Sequence, residues 1–142
     1  MMKPGKPAVS GSQPVIDRAG TATVEMAVCL PMLMLFSFGA IETANAIFLK
    51  QALSQVAYEG ARTASLPDAT EAAIVQRCDE FLAARRIKGA TVSVSPANVS
   101  AKTNSGTILK VTVTAPASAN SISPMWFFKK SKMSNTTAMV RN

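Results

Sequence analysis

Residues 20–42 read GTATVEMAVCLPMLMLFSFGAIE, the most apolar stretch of the chain, and the fold turns on what this stretch does. Met26 to Ile41 holds sixteen residues without a charge. As an α-helix they cover about 24 Å at ~1.5 Å per residue, short of the ~30 Å hydrocarbon core of a bilayer. Counting back to Thr21 gives twenty-one residues and about 31 Å, which does span, but that count takes in the carboxylate of Glu25. The run LMLFSFGAI (33–41) has no polar face, so membrane insertion over 21–41 is the reading it supports. Pro31 and Gly39 are compatible with it, since membrane helices tolerate both.

Upstream, residues 1–19 mix Pro, Gly and Ser without an apolar period, which predicts a disordered leader. Lys3, Lys6 and Arg18 outnumber Asp17 there, and the excess of positive charge keeps this end cytoplasmic. Downstream, ETANAIFLKQALSQVAYEGARTAS (42–65) continues a helical pattern until Leu66-Pro67-Asp68 stops it. A second helix is predicted over Ala69–Ile87, with Ile74, Cys78, Phe81 or Leu82, and Arg85 on one stripe, Asp68 or Thr70 as its cap and Gly89 as its end. The period then changes to two. TVSVSPA (91–97) and TILKVTVTA (107–115) alternate, with Leu109, Val111 and Val113 opposite Lys110, Thr112 and Thr114, and SNTTAMV (134–140) is a weaker third strand. The expected fold class is therefore α+β: a long N-terminal membrane helix continuing into a small domain with a second helix and a short antiparallel sheet. The chain divides into a leader (1–20), the long helix (21–66, membrane part 21–41) and an extracytoplasmic domain (67–142).

Composition narrows the function. The 142 residues contain no histidine, which removes the commonest general base and metal ligand. No cysteine pair has metal-ligand spacing and no phosphate-binding glycine loop is present, so no catalytic residue, metal or cofactor is expected. Cys29 lies inside the apolar run and Cys78 on a helix face, so they do not read as a disulfide pair. Net charge is +7, and after Glu80 the chain carries nine basic residues and no acid. Such a half can face anionic lipid, an acidic protein or nucleic acid, but no nucleic-acid module accompanies it.

The remaining signal sits where the chain enters the membrane. Gly20 is followed five positions later by Glu25 and then by the apolar run. This resembles the processing site of class III signal peptides, cut by prepilin peptidases between the glycine and the next residue, here Thr21. The aromatic residue usual after the glutamate is replaced by Met26. Farther on, Glu59, Gly60, Ala61, Arg62 and Ala64 resemble the EGAR-x-A run of TadE-like proteins, minor pilins or pseudopilins of the tight-adherence (Tad/Flp) pilus system. The resemblance implies a non-enzymatic role in assembling an adhesive pilus. It also implies a prepilin peptidase, other pilin subunits and the assembly platform as partners, and an inner-membrane location with the C-terminal domain periplasmic. Physical chemistry supplies a use for Glu25. Cleavage would free an α-amine on Thr21, and positions 21 and 25 stack on one helix face. A carboxylate near the membrane core costs about 2–3 kcal/mol, less near the interface, and an adjacent cation offsets that. Ser37, Gly39 and Ala40 are small enough for close helix–helix approach.

Two further readings follow from the residues. Ala44-x-Ala46 has the form that signal peptidase I prefers, and cutting after Ala46 would release a periplasmic binding domain. The cluster Trp126, Phe127, Phe128, Lys129 and Lys130 has the composition of an interfacial anchor.

Overall fold

The computed structural model describes residues 1, 2, 5, 16–121 and 130–142, and of 16–19 the backbone alone. Helix α1 runs over Ile16–Ala64 and helix α2 over Glu71–Ala84. Strands β1 (Thr91–Ser95), β2 (Ile108–Pro116) and β3 (Lys132–Val140) form one antiparallel sheet in the order β1-β2-β3. This is the α+β arrangement the sequence pattern called for. The chain separates into two compact units, residues 1–37 and 38–142.

In the first unit, α1 begins four residues before Gly20, inside the stretch expected to be unstructured. Its large side chains from Val24 to Leu35 are exposed, so this segment builds no core of its own.

The second unit holds the core. From α1, Leu49, Leu53, Val56, Ala57, Ala61 and Ala64 recur at helical spacing and are buried. Ile74, Cys78 and Leu82 of α2 join them, and Leu109, Val111, Val113 and Ala115 of β2 close the layer from the sheet side. β2 is the central strand, so its inward residues are fully covered, while its outward residues Lys110, Thr112 and Thr114 face away from the helices. Pairing of Val92 with Val113 and Val94 with Val111 puts the β1 valines on the core side, and the Thr112 and Thr136 hydroxyls bond across the outer face at 2.8 Å.

The ends of α2 differ from the sequence expectation by two or three residues. Thr70 is the N-cap, its hydroxyl accepting from the Ala73 amide at 3.3 Å. The helix stops before Gly89. Arg86, at φ 56, takes the left-handed position after the helix, and the amides of Arg86 and Ile87 donate to the carbonyls of Ala83 and Leu82. This is a Schellman ending, which glycine usually fills; a β-carbon there costs roughly 1 kcal/mol. Gly89 is also left-handed (φ +66), and serves the turn into β1.

The closing residues are held by an unpredicted contact. Arg141 is only 2% exposed. Its guanidinium donates to the carbonyl oxygens of Pro67 and Ala69, and the Asn142 amide donates to Ser65 at 3.1 Å. β3 is thereby tied to the turn that follows α1, whose carbonyls find a charged donor in Arg141.

Candidate processing and packing surface of the first helix

Gly20, Thr21 and Glu25 all lie on α1 and are exposed. Helical geometry puts residues 21 and 25 one turn apart on one face. The Gly20–Thr21 peptide bond sits in the second turn of the helix, so a peptidase must unwind that turn to reach it. A β-carbon at Gly20 would meet nothing within 4 Å, which leaves the backbone open to approach.

Beyond Glu25 the surface is apolar. One window of α1 reaches a mean hydropathy of 2.0 with none of it buried, so the helix is long and apolar enough to cross a membrane. Among the side chains from Met26 to Phe48 the single charge is Glu42, and Glu42 is only 4% exposed. Ile47 and Phe48 are exposed beyond it, Phe48 at 68%. The exposed side of α1 therefore stays uncharged past Glu42 as far as Phe48.

Ser37 and Thr43 return their hydroxyls to the carbonyls of Leu33 and Gly39, each at 2.8 Å, which satisfies both groups within the helix. Ser37 and Ala40 are exposed, and a β-carbon at Gly39 would meet nothing within 4 Å.

The EGAR-x-A run is divided by the fold. Gly60, Ala61 and Ala64 turn into the core, Glu59 is half-buried and Arg62 is exposed. A β-carbon on Gly60 would overlap the Cys78 sulfur and lie 3.0 Å from Cγ1 of Val111. Gly60 is thus a point where α1, α2 and β2 meet. The Cys78 thiol donates to the Val56 carbonyl at 3.8 Å, and burial, aided by the charge of Asp79, raises its pKa from 9.0 to about 11. Ala44 is exposed and Ala46 buried, both in mid-helix, so a peptidase acting after Ala46 would also have to unwind α1.

Trp126, Phe127, Phe128 and Lys129 lie outside the described residues; Lys130 is exposed at a turn. Cys29 and Cys78 are both free thiols. No group of three or more His, Cys, Asp or Glu side chains suited to a metal occurs among the described residues. Sequence reasoning missed Glu42 and Arg141. The signal for Arg141 was a lone cation closing a strand pattern; Glu42 had none, because its burial depends on what covers one side of α1.

Residues 20–62 match the family model described as TadE-like protein, and comparison with curated proteins and with solved structures gave no match. The match begins at Gly20 and ends at Arg62, so it takes in the Gly-x4-Glu spacing, the apolar run and the EGAR residues together. It leaves α2 and the sheet outside.

Proposed function

We propose that this chain, TadE-like from Gly20 to Arg62 and so associated with Tad pilus systems in a pilin-like role, is a minor pilin or pseudopilin needed to assemble an adhesive pilus. The observation that carries the reading is that the matched segment lies on one continuous helix: a glycine and a glutamate at its entrance, an exposed apolar middle, and an EGAR end whose Gly60 and Ala61 are buried. A prepilin peptidase cuts Gly20–Thr21. The mature helix anchors the protein once through the inner membrane, its leader side cytoplasmic and the α+β unit periplasmic. The membrane segment covers 21–41, and the exposed apolar side chains of that stretch support the reading.

Once freed, the Thr21 amine and the Glu25 carboxylate are available to pair within the subunit or with a neighbour. In lipid, apolar helices gain nothing from the hydrophobic effect by associating, so close packing and polar pairs decide partners. The open surface at Ser37, Gly39 and Ala40 supplies the first, and Glu25 the second. Those partners are other pilin subunits and the assembly platform.

The test is the mass and N-terminal sequence of the membrane-associated product. A start at Thr21, abolished by Gly20→Leu, is expected. A start at Ile47 would show release of a periplasmic domain, and an intact N-terminus with pili still formed would remove the processing site.

A further inference from the structure

The sheet has three strands to cover two helices. In the second unit α2 lies against β1, while Ile47, Lys50, Gln51 and Ser54 of α1 line an open groove of about 270 Å³ with Asn135 of β3. Two helices side by side are about 20 Å wide, and three strands at ~4.8 Å spacing cover about 14 Å. The uncovered width falls at the groove beside β3.

The backbone of that edge is open to bonding. The Arg141 amide donates to Thr107 at 2.9 Å and the Ser131 carbonyl accepts from the Ala117 amide at 3.0 Å, so the odd-numbered positions of β3 exchange hydrogen bonds with β2. The amides and carbonyls of Ser134, Thr136, Ala138 and Val140 therefore point away from β2, and their side chains are exposed. These backbone groups have no partner among the described residues. The opposite edge differs. β1 stops after five residues at Pro96 and has α2 beside it, two common ways of closing an edge. β3 runs nine residues in unbroken register with β2, without proline or bulge. A long regular edge of this kind is a template for strand addition.

We propose that β3 receives a fourth strand from a different protein, an extended segment whose inward side chains are apolar over Ile47 and acidic at Lys50. Ile47 is half exposed and gives the groove an apolar floor. Lys50 is exposed and makes no ion pair among the described residues, and no acid lines the groove. A second copy of this chain does not fit. The sequence has no acid after Glu80, so none of its strands brings a carboxylate to Lys50. Direction argues against it as well. Asn135 lies beside residues 47–54 of α1 and the Asn142 amide bonds to Ser65, so α1 and β3 run the same way. Antiparallel pairing of two β3 edges would turn the second α1 round, whereas two copies anchored in one membrane leave it in the same direction. That step alone rests on the proposed anchoring.

Amide exchange of the full chain in nanodiscs, followed by NMR, tests the addition. The probe is a short peptide alternating Val and Thr, with one central Val replaced by Glu. At millimolar peptide, exchange at Ser134, Thr136 and Ala138 is expected to slow about tenfold. Thr136→Pro removes an outward donor without touching the ladder to β2; it should abolish the slowing and leave exchange over 109–115 as it was. Lys50→Glu should abolish the response to this peptide and confer it on the same peptide with Lys in place of Glu. Lys110→Glu, on the outer face of β2, should change neither. Absence of slowing, or slowing that survives Thr136→Pro, overturns the strand addition. Equal slowing by both peptides in the unaltered chain overturns the acidic partner. Protection of the same amides without peptide, growing with the number of chains per disc, overturns the different protein in favour of a second copy. Exchange over 26–41 reports the anchoring separately, so fast exchange there would overturn the membrane reading and leave the peptide result standing.

Discussion

Gly39 and Gly60 stand on the same helix and meet opposite surroundings. Around Gly39 the large apolar side chains, Phe36, Phe38 and Ile41 among them, are exposed, and a β-carbon at the glycine would touch nothing. Around Gly60 the neighbours Val56, Ala57, Ala61 and Ala64 are buried, and a β-carbon would strike Cys78 and press on Val111. One region has exposed apolar surface with nothing packed on it among the described residues; the other has used its small residues to bring two helices and a sheet together. A small residue therefore has two meanings here. At Gly60 it serves the fold of the chain, and at Gly39 it leaves the helix surface open.

Substitution at both glycines is the most direct way to break this contrast. Gly60→Val should destabilise the second unit by about 3 kcal/mol, the upper part of the range for overpacking a core, a large share of what so small a unit has. Gly39→Val should leave its unfolding midpoint unchanged. Chemical denaturation of the detergent-solubilised chain, followed by far-ultraviolet circular dichroism, measures both. Adding Cys78→Ala to Gly60→Ala should recover part of the loss, because contacting residues couple. Strict additivity would show that the sulfur is not the obstacle.

The same packing predicts an alkaline limit. The buried Cys78 thiol is raised to about 11 from 9.0, so the unfolded chain releases this proton first as pH rises. The contribution is full below about pH 9 and is lost as pH climbs through about 11, for a total of about 2–3 kcal/mol. Cys78→Ala should flatten that slope while leaving neutral-pH behaviour to its packing change. A variant that keeps the full slope would assign it to other groups. Arg141→Met, which keeps the stem and removes the donors, should cost about 2 kcal/mol, as expected for hydrogen bonds from a charged group to buried carbonyls.

How far the sequence could be read follows the same division. The apolar run, the β-alternation of Leu109, Val111 and Val113, and the stop at Leu66-Pro67-Asp68 are local patterns, and the structure agrees with each. What escaped is what only a third dimension supplies. Glu42 counts as a charge in sequence but is buried in the fold, with Ile47 and Phe48 exposed beyond it. The EGAR run looks like one motif, yet helical spacing sends Gly60, Ala61 and Ala64 inward and leaves Arg62 outside. Arg86 ends α2 in the conformation assigned by composition to Gly89, since a Schellman ending depends on the backbone bonds of Arg86 and Ile87 rather than on residue type alone. The groove between α1 and the edge of β3 joins residues some eighty positions apart, and no periodicity reports that.

The smallest expected effect on stability carries the most about function. Glu25→Ala touches an exposed side chain on a segment with no core, so the unfolding of the second unit should not move, within the ~0.5 kcal/mol typical of surface changes. Removing the carboxylate should also ease membrane insertion, because a charge near the hydrocarbon is unfavourable. A protein that folds and inserts as well as before, is cut at Gly20–Thr21, and yet fails to support pili would place the defect in contacts between helices. Restoration by Glu25→Asp would then measure reach. The shorter side chain keeps the charge but withdraws it by one methylene, so partial rescue fits a pair with the Thr21 amine that depends on distance, and full rescue fits charge alone. Normal piliation in Glu25→Ala would separate the glutamate from assembly and leave the open surface at Ser37, Gly39 and Ala40 to select the partner by shape.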